Sequence, residues 1–345
     1  MNNQQEKDNS NLRILHLETT AKENSNLFVT KSANKWIEEA KNKPIPRMLF
    51  SEFWFENELC ILFADTNQGK SVLAVQIADS ITRGIPINGF KMDANKQAVV
   101  YFDFELSDKQ FEGKYSDDYT NHYIFSDTLE RVEINIDIDL PDNINYEKFL
   151  FNAFENTIKR TNARVLIVDN ITYLSEETEK AKDALPLMKH LKALKKQYGL
   201  SILILAHTPK RDLSKPISTN DIQGSKMVIN FIDSAFSIGK STKDPSIKYF
   251  KQIKQRNSTQ IYNDENVVVC LLKKINNNFL GFEFVEFGDE AEHLKYLSEN
   301  EKAKIESQII KLHKESPAIS IRAIAKKIGV NHMKVKRILD KNKEV

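Results

Sequence analysis

Cysteine is nearly missing from this 345-residue chain. The two present, Cys60 and Cys270, each lie inside an apolar run (residues 58–64 and 267–272), and neither sits in a metal-ligand spacing. A disulfide scaffold is excluded, and two buried thiols in a chain this long fit a reducing compartment. Long apolar runs are missing too. Stretches such as 165–168 and 202–206 fall far short of the roughly 20 residues that a membrane helix needs. The first residues, MNNQQEKDNSNL, lack the basic-then-apolar pattern of a secretory signal, and no internal repeat is evident. A soluble, cytoplasmic protein is therefore expected, with no membrane partner. What is present is enough for a core: 41% of residues are hydrophobic against 28% charged, which excludes a fully disordered chain. The length suits one large domain with something small attached.

The net charge of +2 conceals an asymmetry. Residues 316–345 hold eight Lys and Arg against Asp340 and Glu344, so this end carries +6 and the rest of the chain −4. A concentrated positive end on a mildly acidic body suits a polyanion-binding appendage; a solvated Lys-rich tail is the plain alternative.

Residues 1–31, rich in Asn, Gln, Ser, Glu and Lys, read as a disordered tail with a short strand at 13–17. Residues 32–41 (SANKWIEEAK) predict a Ser-capped helix that Pro44 and Pro46 end. An aromatic approach at 48–55 leads to a strand at Leu59–Ala64. Strands and helices then alternate, which favours a parallel sheet wrapped by helices. Strands are expected at 98–104, 164–168 and 201–206, and helices at 72–83, 146–159 and 181–198. In the last helix Ala184, Leu187, Met188, Leu191, Leu194 and Tyr198 recur at helical spacing. A polar loop at 210–223 precedes four further strands, at 234–238, 248–254, 267–273 and 281–287. The charged residues 288–300 look like a boundary.

Between the first strand and the next helix stands Ala64-Asp65-Thr66-Asn67-Gln68-Gly69-Lys70-Ser71. This is the phosphate-binding pattern GxxxxGK[ST] with Ala at the first glycine. Gly69 lets backbone N–H groups turn inward, Lys70 offers a mobile charge to the β- and γ-phosphates, and Ser71 can ligate Mg²⁺. The helix that follows aims its positive end at the same phosphates. A second carboxylate for Mg²⁺ is expected at the end of a neighbouring buried strand, where RVLIVDN supplies Asp169; a strand-end Asp that only caps its turn is the alternative. For a group that polarises water, YFDFELS supplies Asp103 and Glu105, which alternation puts on one side. Glu105 lies nearer the strand end and is expected to be the base, with Asp103 open to a structural role.

The phosphate loop, the strand ending at Glu105, LIVD, the strand ending in AHTPK, and KQRN, in that order, resemble the RecA-like ATPases. The likeness is greatest to replicative hexameric helicases and to AAA-annotated ATPases of plasmids and integrative elements, and it spans residues 45–287. The resemblance implies ATP and Mg²⁺ as cofactors, Glu105 as catalytic base and His207 as a γ-phosphate sensor; read without the resemblance, His207 is a partnered strand-end histidine. It also implies that Lys254 and Arg256 of KQIKQRNS act on the phosphate of a neighbouring subunit, so that a homo-oligomeric ring or filament, a hexamer in its fullest form, is needed. A basic strand facing solvent is the alternative for that pair. ATP over GTP also comes from the resemblance, since no guanine-reading NKxD stands in a suitable place.

By the same resemblance, single-stranded DNA would pass the loop after the sensor strand, where Lys210, Arg211 and Lys215 are the candidate contacts. Pro209, Pro216 and the polar residues mark the loop as mobile and exposed, and a plain solvent loop is the alternative. At the C-terminus, a helix at 298–314 and two short helices at 320–328 and 331–340 read as a helix-turn-helix. Its second short helix would turn Asn331, His332, Lys334, Lys336 and Arg337 toward duplex DNA. A helical docking module with a basic face is the alternative. The expectation is thus an α/β, RecA-like P-loop NTPase with a mostly parallel sheet wrapped by helices, plus a small C-terminal helix-turn-helix. Its segments are a tail (1–31), a core with its leading helix (32–290) and a DNA-binding module (291–345). The expected function is a helicase-like DNA motor in replication, mobilisation or transfer of a mobile element; an ATP-gated oligomeric DNA-binding regulator is the rival. A small-molecule kinase is disfavoured because no acceptor-binding lid stands out.

Overall fold

The computed structural model describes residues 28–135, 137, 146–170, 184–209, 211–222, 225–295, 299–317, 319–328, 330 and 332–342. The chain divides into two compact units, Met1–Ile45 and Pro46–Val345. In the first, helix α1 (Ala33–Lys41) starts where the sequence places it, because the Ser32 hydroxyl accepts the Lys35 N–H. No residue of α1 is buried, and Trp36 and Ile37 are exposed. The tail expected at 1–31 lies outside the described residues up to residue 27, as does the strand expected at 13–17.

The second unit opens with the small antiparallel pair β1 (Met48–Phe50) and β2 (Trp54–Phe55), which buries Phe50, Phe53 and Trp54 beside the first long strand, β3 (Leu59–Ala64). Every residue of β3 is buried, since both its faces are covered. Cys60, Leu62 and Ala64 join the layer that contains helix α2 (Lys70–Arg83), while Leu59, Ile61 and Phe63 join the opposite layer. After α2 come β4 (Val99–Asp103), helix α3 (Asp108–Lys114), the short pair β5 (Ser116–Asp117) and β6 (Asn121–His122), and β7 (Leu129–Val132). Helix α4 (Tyr146–Thr161), β8 (Val165–Asp169), α5 (Ala184–Tyr198) and β9 (Ser201–His207) follow. Leu187, Met188, Leu191 and Leu194 of α5 are buried, as its spacing predicts; residues 181–183 lie outside the described residues. Helix α6 (Ser225–Phe231) then leads to β10 (Ser234–Lys240), β11 (Ile247–Lys254), β12 (Val267–Ile275) and β13 (Phe279–Gly288).

The sheet runs β13-β12-β11-β10-β3-β9-β8-β4-β7. From β10 to β7 all neighbours are parallel, and β11 to β13 continue as an antiparallel meander. Parallel strands covered on both faces explain the continuous apolar runs VLIV and SILILA. Strand β4 stops at Asp103 rather than running on through Glu105, because the Asp103 carboxylate accepts the N–H groups of Glu105 and Leu106 and turns the chain. Glu105 therefore stands on the turn beyond the strand, not on its face.

Two features differ from the expected layout at the far end of the sheet. The β12–β13 hairpin is drawn onto α2, where the Gln76 side chain donates to the Phe282 carbonyl at 2.9 Å and accepts the Phe282 N–H at 2.8 Å. The stretch 288–300 is not simply a charged boundary, because Glu290 and His293 are buried. Glu290 accepts from Lys251 Nζ (2.5 Å), the Tyr249 hydroxyl (3.1 Å) and the Ile217 N–H (2.7 Å), which leaves neither buried charge unpaired.

At the C-terminal end, α7 (Glu299–Glu315), α8 (Ile321–Ile328) and α9 (His332–Lys341) share a core of Ile309, Ile324, Ala325, Val335 and Leu339. Ile321, Ile328, Val330 and Ile338, expected on the same apolar faces, pack against it. Among the described residues, no helix is long and apolar enough to cross a membrane.

Gln76→Ala removes both partners of the buried Phe282 backbone. It is expected to lower the unfolding free energy by about 2–4 kcal/mol in chemical denaturation. A change within ~0.5 kcal/mol would contradict the hairpin's attachment through these bonds.

Candidate active site

Register fixes where the site forms. Ala64 pairs with His207 and Asp103 with Asp169, so the ends of β3, β9, β4 and β8 meet along one edge of the parallel sheet. The loop at 65–69 leaves β3 there and enters α2 through Gly69, whose φ of +89° is left-handed. A side chain at this glycine would also meet the Phe282 ring at 2.7 Å, so the hairpin closes over the loop as well as over the helix. Asn67 takes a positive φ too, and the Gln68 amide donates to the Thr66 carbonyl at 3.1 Å. Thr208, just past β9, donates its hydroxyl to the Asp65 carboxylate and ties the loop to the neighbouring strand.

Lys70 is buried, with only 6% of its surface exposed. Its ammonium lies 3.3 Å from the Ala64 carbonyl, 3.5 Å from that of Asp65 and 3.1 Å from His207 Nδ1. Burial pulls the Lys70 pKa below its ordinary value, against the attraction of Asp169, Glu105 and Asp65. The other ring nitrogen, His207 Nε2, lies 3.3 Å from Glu105 Oε1. An ammonium can only donate and a carboxylate only accept, so the ring between them is neutral, accepting at Nδ1 and donating at Nε2. Glu105 also accepts the Asn170 amide at 2.7 Å. The hydrogen bond to His207 holds the Glu105 carboxyl below its ordinary value in spite of its partial burial, helped by Asn170 and the Lys70 charge.

Asp169 ends β8, fully buried, with the Tyr101 hydroxyl donating to Oδ2 at 2.5 Å. Burial raises its pKa to about 6, opposed by Ser71 and Tyr101 and reinforced by the charges of Glu105 and Asp103. Although the Ser71 hydroxyl is close enough to oppose that rise, Asp169 Oδ1 is buried with no hydrogen-bond partner of good geometry. An orphaned carboxylate oxygen beside a serine hydroxyl at a helix N-terminus fits Mg²⁺, which takes one or two protein oxygens and fills its other positions with water and phosphate. Ser71 and Asp169 would hold that ion, which supplies charge neutralisation to the phosphates when bound.

The other expected residues lie elsewhere. Because β11 runs antiparallel, Lys254 pairs with Ala235 at the start of β10, whereas Ala64 meets Ile238 at its far end. Lys254 and Arg256 thus sit at the opposite end of the sheet from the chain's own phosphate loop. Lys254 Nζ donates to the carbonyls of Ile229 (2.5 Å) and Ile232 (2.8 Å). Arg256, half exposed, donates to Asp233 at 3.1 Å. On the loop after β9, Arg211 donates to the Lys215 carbonyl and Lys215 pairs with Asp212 at 3.5 Å. This loop is more fixed than its composition predicts, since Ile217 is buried and bound to Glu290 and the Leu213 carbonyl accepts the Lys295 N–H. Lys210 and Asn331, and the side chains of Lys334 and Arg337, lie outside the described residues; His332 and Lys336 are exposed.

Sequence reading missed Asn170, Tyr101 and Thr208 at the site. Asn170 and Thr208 each directly follow a singled-out residue at a strand end, which was a usable signal. Nothing in the sequence announces that Tyr101 reaches a carboxylate on the adjacent strand.

The sequence matches the family described as AAA domain (AAA_25) over residues 27–212, more than half of the chain, and the protein belongs to that family. The site is that of a P-loop ATPase, and membership of this family implies nucleoside triphosphate hydrolysis with ATP and Mg²⁺. Among solved structures, the KaiC-like protein PH0186 of Pyrococcus horikoshii OT3 aligns at 12% identity and a TM-score of 0.46, over 70% of this chain and 100% of that one. No curated relative matches.

Lys70→Ala is expected to weaken ATP binding at least about tenfold and to abolish turnover, because the buried charge that would meet the phosphates is lost. Binding and turnover at native levels would refute the assignment of the loop. Asp169→Asn should cut the gain in nucleotide affinity that Mg²⁺ brings while leaving metal-free binding intact, as read by titration with and without chelator. An unchanged Mg²⁺ dependence would remove Asp169 from the metal site.

Proposed function

We propose that this protein is an ATP-hydrolysing, DNA-associated motor of the helicase-like type, which works as a homo-oligomeric ring or filament on a mobile element. The observation that carries the proposal is the chain from Lys70 through His207 to Glu105. It links the loop lysine, the strand-end histidine and the carboxylate in one hydrogen-bonded line, so a phosphate group that competes for Lys70 also changes the surroundings of Glu105. In this reading Glu105 is the general base for water, His207 senses the γ-phosphate, and the loop residues 64–71 bind the nucleotide. Held below its ordinary pKa, Glu105 is charged at neutral pH, but it becomes an effective base only once His207 and Asn170 release it.

Arg256 supports assembly. It cannot serve its own phosphate loop from the opposite end of the sheet, yet its guanidinium is half exposed and its neighbour Lys254 is committed to carbonyls. Arg256 is therefore the better candidate for a cation offered to a neighbouring subunit, with Lys254 shaping the turn beneath it. Single-stranded DNA would contact Lys210, Arg211 and Lys215 at the core, and duplex DNA the C-terminal residues Asn331, Lys334, Lys336 and Arg337.

One observation favours a second reading. The three helices α7 to α9 have a core of their own, with a basic sequence on the last helix, as a sequence-reading helix-turn-helix would. The protein would then be an ATP-gated regulator that assembles on a duplex site and hydrolyses slowly.

Steady-state ATP hydrolysis over a protein concentration series, alone and with single-stranded or duplex DNA, separates the two readings. The motor predicts strong single-strand stimulation and a super-linear rise with protein concentration. Flat, slow turnover under all conditions would overturn the motor and leave the regulator. Arg256→Ala should reduce turnover by roughly 10³-fold, and mixing it with Lys70→Ala protein should restore part of the activity, since each supplies what the other lacks. Normal hydrolysis by Arg256→Ala at every concentration would remove the trans arginine.

A further inference from the structure

The turn that carries Glu105 has a second support, independent of His207 and Asn170. Beyond β4 the chain bends through residues 104–107 before α3 begins at Asp108. Arg131 on β7 stands beside Tyr101 in the parallel register of these two strands. Its Nε donates to Asp103 Oδ2 at 2.9 Å, Nη1 to Asp108 Oδ1 at 3.0 Å and Nη2 to the Leu106 carbonyl at 2.6 Å, and Glu133 pairs with the same guanidinium. The Phe111 ring lies against it, 4.9 Å from its central carbon. Asp103, itself buried, passes the hold onward: its Oδ1 accepts the N–H of Glu105 at 3.2 Å and of Leu106 at 3.0 Å. One planar guanidinium thus grips the start, middle and end of the turn.

From these contacts we propose that Arg131, acting through Asp103, is a positioning residue that sets the backbone of Glu105 for catalysis. The inference rests on the reading of Glu105 as general base. Both side-chain partners of Glu105 lie at the nucleotide site, and the base must part from them to act on water. While it does so, the backbone contacts from Asp103 and Leu106 to Arg131 are what keep it in place. A misplacement of about 1 Å in a catalytic group can cost a hundredfold in rate, so the turn needs such a hold. The residue type follows from the geometry. Only arginine presents several donors in a rigid fork that can meet two carboxylates and a carbonyl in different directions; lysine has a single point of charge. Strand β7 is the edge of the sheet, so the grip comes from a side chain at the rim rather than from the central core.

The test compares Arg131→Met and Arg131→Lys with the parent protein, and with each other in a Glu105→Gln background. Expected is a fall in kcat of at least about tenfold in both single variants, with the KM for ATP and the affinity for a fluorescent ADP analogue unchanged. In the Glu105→Gln background the same substitutions should lower residual single-turnover hydrolysis no further, because the group they position is already disabled. Unchanged kcat in both variants, or equal fractional losses with and without Glu105, would overturn the inference. Should Arg131→Met fail to fold, Arg131→Lys and Asp103→Asn carry the same comparison. Native turnover by Glu105→Gln alone would instead overturn the reading of Glu105, and the inference with it.

Discussion

A buried ammonium must find acceptors, and the arrangement of this site follows from how Lys70 finds them. Its place at the start of α2 puts it out of water, with two loop carbonyls and one imidazole nitrogen in reach. Because an ammonium cannot accept, it fixes which nitrogen of His207 carries the hydrogen, and that hydrogen faces Glu105. Two further carboxylates, Asp169 and Asp65, add to the negative surroundings that oppose the fall in the lysine's pKa caused by burial. The lysine that would meet phosphate and the carboxylate that would act on water are therefore coupled before any nucleotide arrives.

The fold supplies this coupling by register. Parallel strands that end together bring Ala64, Asp103, Asp169 and His207, between 38 and 143 residues apart along the chain, to one edge, and the chain turns beyond that edge hold them there. Each turn is tied by a side chain: Asp65 by Thr208, and Glu105 by Asp103 and Arg131. From the opposite side, the β12–β13 hairpin rests on α2 through Gln76 and covers Gly69 with Phe282. The antiparallel half of the sheet thus closes the phosphate loop and also carries Arg256 away to the other end of the strands.

Much of this was legible in the sequence, and for a physical reason. Strands buried on both faces leave continuous apolar runs, and a phosphate loop must have glycine, lysine and serine in fixed order, so β3, β8, β9 and α2 were readable. The short elements β7 and α3 bury no residue and so leave no apolar pattern. Long-range polar pairs were invisible: Glu290 looks like one charge in an acidic stretch, yet it is buried on Lys251 and pins Ile217 of the loop expected to be mobile. Arg131 likewise reads as a surface arginine until the turn after β4 is seen to close around it. The alternation rule failed at Glu105 because Asp103 ends the strand by capping the very residues that would have continued it.

The most direct test of the Lys70–His207–Glu105 connection is the tautomer of His207 without nucleotide, read from its imidazole ¹⁵N shifts in selectively labelled protein and assigned by difference from His207→Gln. The account predicts a neutral ring with hydrogen on Nε2 and a bare, accepting Nδ1. A ring with hydrogen on Nδ1, or on both nitrogens, would mean that Lys70 does not donate to it and that the loop lysine and Glu105 are not linked through His207.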